Sequence, residues 1–231
     1  MDLANDFTVL RNRVFADLIR AHDYHADTMI AWDLVREVIA SGRKIAVRSE
    51  VTGTMTRDID LDAKSEGYID EQLSEATFQQ FIAIFENFYF EFLGLWLTAY
   101  PRSLGKKMVD FQTILDLPDK EAITQLVVRK ELNDVLYDRP AGWFAYLEEK
   151  VKLGCPSAGE VERIAEIKAT RDVLAHNQGI VNKIHGAKAG VLARFPEGSR
   201  IEISERYHRE SWELIHKVAS DLSDAAIAKL A

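Results

Sequence analysis

Cysteine is almost missing from these 231 residues: Cys155 stands alone, so no internal disulfide framework holds the chain, and a reducing compartment suits it. Proline is scarce too, at five, and glycine stands at twelve, which excludes long Pro- and Gly-rich linkers. There is no glycine-rich phosphate loop, no Gly-x-Ser-x-Gly elbow and no zinc-ligand spacing, so neither a metal nor a cofactor is expected. His208 and His216 lie eight apart and can share a helix face, but a metal pair wants four-residue spacing or a convergent partner. Positive charge is also short. Lys and Arg number 29 against 37 Asp and Glu, a net charge of −8 that rules out a polybasic coat for nucleic acid. Any RNA site must be a local basic patch. The opening MDLANDFTVL is acidic and has no signal-peptide apolar core. Phe78–Tyr100 has the length to span a membrane, but Glu86, Asn87 and Glu91 interrupt it and Pro101 follows. Carboxylates inside a bilayer are costly, so a buried core helix is expected there, with no membrane partner and a cytoplasmic location.

What the chain has in quantity is helical periodicity. Residues 5–41 carry Leu10, Val14 and Leu18 at four-residue steps and then Val35, Val38 and Ile39, with a break possible near His22–Asp27. Residues 43–70 turn polar and read as a connecting loop with at most one short strand. Ser74 is placed to cap a helix reaching about Tyr100, and six phenylalanines between Phe78 and Phe92 make it apolar nearly all round, hence central. Shorter helical pieces are expected over 103–116, 118–137 and 140–154. Ser157-Ala158-Gly159-Glu160 is a capping-box pattern opening a helix that stops at Asn177–Gly179. Residues 186–203 read as a loop or short hairpin, and Ser204 caps a last helix over 205–230. Six or seven helices with short connections make an all-α bundle.

The stretch around Arg171-Asp172-Val173-Leu174-Ala175-His176 carries the chemistry-bearing residues. On a wheel at roughly 100° per residue, Lys168, Arg171, Asp172 and His176 fall on the less polar side of their helix, whereas Glu166, Thr170 and Asn177 fall opposite. Buried charges need partners, and one chain offers no obvious set for all four. Asp172 and His176, four apart, can hydrogen-bond so that the carboxylate fixes the imidazole tautomer. Glu86, inside the aromatic helix, wants a cation, for which Arg171 and Lys168 are natural candidates. On spacing alone, a capping histidine and a snorkelling arginine are the commoner explanation of the pair. Between 171 and 217, eight Lys and Arg face six Asp and Glu, a small local positive excess.

Arg171, a polar Asp172, three residues, then His176-Asn177-x-Gly179 resembles the signature of the HEPN superfamily of α-helical domains, many of them ribonucleases. The aromatic helix containing Phe85-Glu86-Asn87-Phe88, the YPRSLGKK break and the long last helix extend the likeness. Asp172 stands where many members have asparagine. The resemblance implies a HEPN-like helical bundle with an up-and-down four-helix core over 71–231, preceded by an N-terminal helical extension and connecting loop over 1–70. It implies a metal-independent endoribonuclease, often a toxin or antiviral defence effector, whose site forms across a homodimer. Arg171 and His176 would be catalytic with Asp172, and Asn177, Lys168 and Glu86 would support the site or touch RNA. His176 could move a proton of the 2′-hydroxyl attack and Arg171 clamp the phosphate. RNA, a second copy and a cognate antitoxin or regulator protein are the implied partners. The alternative is a catalytically silent helical module that binds RNA, a nucleotide or a protein.

Overall fold

The computed structural model describes residues 2–231, with Asp70 described in its backbone only; Met1, the first residue of the expected extension, lies outside it. The chain is all-α, 75% helix and 3% strand. Helix α1 runs unbroken over Leu3–Ala40, started by the Asp2 carboxylate accepting from the Asn5 amide at 3.1 Å. The break allowed near His22–Asp27 does not occur, because no proline or glycine interrupts the backbone there. Its first half buries Leu3, Phe7, Leu10, Val14 and Leu18 in the same core as the aromatic helix. Its second half leaves that core. Ile30 and Leu34 are exposed, and Arg36 instead bonds Ser65 and faces Asp62. Residues 2–70 are therefore divided near His25: the apolar residues before it join the core, and the stretch after it stands apart from that core.

Residues 43–70 hold more order than a loop. A small antiparallel hairpin pairs β1 (Ala46–Arg48) with β2 (Met55–Arg57), Val47 opposite Thr56. Helix α2 (Asp58–Glu66) comes next, then a π-helical segment (Gly67–Leu73) that runs straight into α3 (Ser74–Ala99). Ser74 does not cap α3. It sits inside a continuous helical run, and its hydroxyl donates back to the Ile69 carbonyl at 3.0 Å, closing the widened turn. The run Asp58–Ala99 is long and apolar enough to cross a membrane by length and composition. In the fold, Phe78, Phe81, Phe85, Phe88, Phe92 and Leu97 of α3 are buried against α1, α5, α7 and α9.

Pro101 ends α3 and opens a 3₁₀ turn (Pro101–Leu104), leading to α4 (Phe111–Asp116), α5 (Lys120–Leu136) and α6 (Pro140–Lys150). Then come α7 (Ala158–His176), α8 (Lys183–Ala189) and α9 (Glu205–Leu230), the last capped by Ser204 as its sequence indicates. Helix α8 starts ahead of the stretch 186–203 expected as a loop or hairpin and runs into its first four residues. Asn182 caps it through the His185 amide at 3.0 Å, and a single bridge joins Ile180 to Arg200 behind it. Along the α1–α9 seam, His25 and His208 stack with ring centres 4.0 Å apart, and Trp212 donates to the Leu18 carbonyl at 3.0 Å. His208 also meets the Thr77 hydroxyl at 2.8 Å, and burial, with His25 beside it, pushes its pKa down to about 3.

Candidate functional site

Helix α7 is fixed at both ends. Ser157 and Glu160 form the full capping box, and Glu160 also takes a 2.6 Å contact from Lys217 of α9. That lysine and the Ser157 groups hold the Glu160 carboxyl down at about 2. At the other end Asn177 caps the helix, Gln178 and Gly179 take positive φ (54° and 74°), and Gly179 donates to Val173 at 3.2 Å. The Asn177 side chain is spent on this turn, donating to the Ile180 carbonyl.

One side of α7 carries a compact ion cluster. Glu86 of α3 accepts from Arg171 through one oxygen and from Lys168 at 2.8 Å through the other. Both cations that the sequence offered to Glu86 are thus engaged. Asp172 faces Lys188 of α8 at 2.9 Å, Lys168 at 3.4 Å and Arg171 at 3.4 Å. Burial alone would raise the Asp172 pKa, but the Lys188 hydrogen bond and the surrounding cations outweigh it and hold the carboxyl below its ordinary range. The five groups sum to a single positive charge and pair within one chain, so the charges by themselves do not call for a second copy. The Arg171 Nε is the exception, buried without a hydrogen-bond partner.

No hydrogen bond or ion pair among the described residues joins Asp172 to His176, contrary to the expected tautomer-fixing contact. Lysines reach the carboxylate first, and one of them comes from α8, an element the sequence did not disclose. His176 is exposed and lines a cleft of about 310 Å³ between α7 and α8, with Asp172, Asn177, Asn182, His185 and Lys188. A smaller recess of about 170 Å³, lined by Arg139, Lys168, Asp172 and Lys188, adjoins it. Arg171 lines neither; it points to α3. The site residues thus fall into two groups. Asp172, His176 and Asn177 are at the cleft, whereas Arg171 and Glu86 are behind it, with Lys168 between.

The other, more polar side of α7 is not left to solvent. Glu166 and Thr170 are 2% and 0% exposed, because α8, the 190–204 segment and α9 cover them. The Tyr207 hydroxyl donates to Glu166 at 2.9–3.0 Å, Thr170 donates at 3.2 Å and Arg194 stands 3.6 Å away. Burial pushes the Glu166 pKa up against those partners. Thr170 also meets His185 Nε2 at 3.4 Å, while His185 Nδ1 has no partner. His185 and Lys188 were missed as site residues. Asn182 ahead of KIHGAKA was the available signal, being a cap residue directly before a helix-length stretch.

Compared with family models, curated proteins and solved structures, the chain matches none.

Proposed function

We propose that this protein is a metal-independent endoribonuclease of HEPN-like architecture, a four-helix core carrying the motif helix, acting in the cytoplasm as a toxin or antiviral effector. The observation that carries the reading is His176, an exposed imidazole on the lip of a cleft that Asp172 and Lys188 also line, backed by the five-group ion cluster whose net charge is a single positive one. An RNA phosphate suits that surplus. His176 then moves a proton during 2′-hydroxyl attack, leaving a 2′,3′-cyclic phosphate. Arg171, held by Glu86 and Asp172 behind the cleft, positions the ion cluster that faces the phosphate. A second copy paired two-fold across the exposed end of α7 adds another Arg171 and His176 to the same strand, and a cognate antitoxin or regulator would cover this end.

The test is RNA incubated with the purified protein in EDTA. Cleavage that persists in EDTA and disappears in both Arg171→Ala and His176→Ala supports the reading; equal inertness of wild type and both variants, or cleavage that needs added metal, overturns it. Light scattering at micromolar concentration decides the two-fold pairing. The second reading, a silent RNA-, nucleotide- or protein-binding module, is favoured by one observation: the Arg171 guanidinium is held by Glu86 and Asp172 and turned away from the cleft.

A further inference from the structure

Acid–base cleavage of RNA needs one group to take the 2′-hydroxyl proton and another to protonate the departing oxygen. The motif itself supplies one imidazole per chain. The cleft contains another. His185 lines it together with His176, is 1% exposed, and leaves Nδ1 without any hydrogen-bond partner. A buried polar atom without a partner is costly and asks for an explanation, a catalytic role among them.

The hydrogen-bond order behind the ring assigns its tautomer. Glu166 is ion-paired with Arg194 and accepts from Tyr207, so it accepts from Thr170 as well. With the Thr170 proton committed to Glu166, the Thr170 oxygen accepts from His185 Nε2–H at 3.4 Å. Nδ1 then carries a lone pair, not a proton. Burial lowers the His185 pKa, which keeps the ring neutral and able to accept. The charged and titratable groups around it are Glu166 and Asp172 on α7, Lys188 on α8, Arg194 after it and Tyr207 on α9, with His176 across the cleft.

We propose that His185 is the general base of this site and that His176 is its acid, both from one chain. The inference rests on the ribonuclease reading above. Nδ1 of His185 takes the proton of the 2′-hydroxyl. The 2′-oxygen bonds phosphorus and the bond from phosphorus to the 5′-oxygen breaks. The imidazolium of His176 gives its proton to that oxygen. The products are a 2′,3′-cyclic phosphate and a 5′-hydroxyl, and the two rings return to their starting forms by proton exchange with water. In a two-fold pair each chain keeps its own acid and base, and the second copy acts on the phosphate and strand alone.

The test measures cleavage in EDTA against pH for wild type, His185→Phe, which keeps a ring beside Phe195 but no nitrogen, and Thr170→Val, which keeps His185 but removes the oxygen behind it. We expect kcat to fall about 100-fold or more in His185→Phe with KM little changed and the acid limb of the profile gone. In Thr170→Val we expect a loss of about tenfold with the acid limb displaced. A folded His185→Phe protein that cleaves at the wild-type rate with an unchanged profile overturns the proposal and leaves the ribonuclease reading standing. A wild type inert in EDTA overturns both. Nitrogen NMR of the wild type tests the tautomer without any variant: an unprotonated Nδ1 is expected, and a protonated Nδ1 on His185 overturns the assignment.

Discussion

The two sides of α7 hold charge in opposite ways. Towards α3 and the cleft, Glu86, Lys168, Arg171 and Asp172 keep 17–18% of their side chains exposed and neutralise one another almost fully. Towards α9, Glu166 keeps 3% and is surrounded mainly by hydroxyls, with one arginine at 3.6 Å. The two carboxylates respond oppositely: the Asp172 pKa is lowered and that of Glu166 raised. Cations dominate the first and loss of water the second. An ion cluster at the surface stays adjustable, whereas a buried carboxylate with a fixed set of donors locks the elements around it.

Removing the buried carboxylate should have the largest effect on stability. Glu166→Ala strands the Tyr207 hydroxyl and Arg194 and should cost roughly 3–5 kcal/mol in denaturant unfolding. Glu86→Ala strands two cations that still reach water, and roughly 1–3 kcal/mol is expected. Equal losses in the two would erase the contrast between the sides. The pH dependence sharpens it further. Asp172, with a lowered folded pKa, contributes stability above about 3.8 that is lost as pH falls through its folded value; Glu166, with a raised one, disfavours folding as pH rises from about 4.5 through its folded value. Relative to wild type, Asp172→Asn should therefore become more destabilised as pH rises to about 3.8 and then level off, and Glu166→Gln less destabilised as pH rises above about 4.5. The slopes should be of opposite sign and at most about 1.4 kcal/mol per pH unit. Lys188→Ala removes a side chain 41% exposed and should cost under ~1 kcal/mol. Its informative readout is the Asp172 carboxyl, whose NMR titration should move up.

Much of the scaffold was legible in the sequence. Caps and breakers act locally, so Ser157 with Glu160, Ser204, Pro101 and Pro140 marked their helix ends where the structure has them. The phenylalanines from Phe78 to Phe92 announced a helix packed on several sides. The polar contacts behaved differently. A wheel sorts residues by neighbours on the same helix, and the burial of Glu166 and Thr170 is decided by α8, Arg194 and Tyr207. Likewise, the pull of Lys188 on Asp172 was invisible without knowing that α8 folds back on α7. The pairing of Glu86 with Arg171 and Lys168 was legible because a carboxylate inside an aromatic helix needs a cation and both of these fall on one side of α7. The seven-residue α8 contains Gly186 and too few apolar positions to show a period. The π-helical join at Gly67–Leu73 hid the continuity of α2 with α3, because a widened turn shifts the phase of the buried stripe.

That widened turn also has a mechanical consequence. The Ser74 hydroxyl that closes it lies 3.2 Å from His25 Nε2, so the helical defect and the tie to α1 are one place. Beyond it, α1 continues from 26 to 40, an arm of about 22 Å at 1.5 Å per residue. The arm is braced along its length by α2 through Arg36 and Ser65, and by the π-helical segment through Trp32 against Tyr68. His25 and Ser74 sit at the root of that arm. Tilting it by about 5° carries the hairpin end roughly 2 Å, while the core on the near side of that root stays where it is.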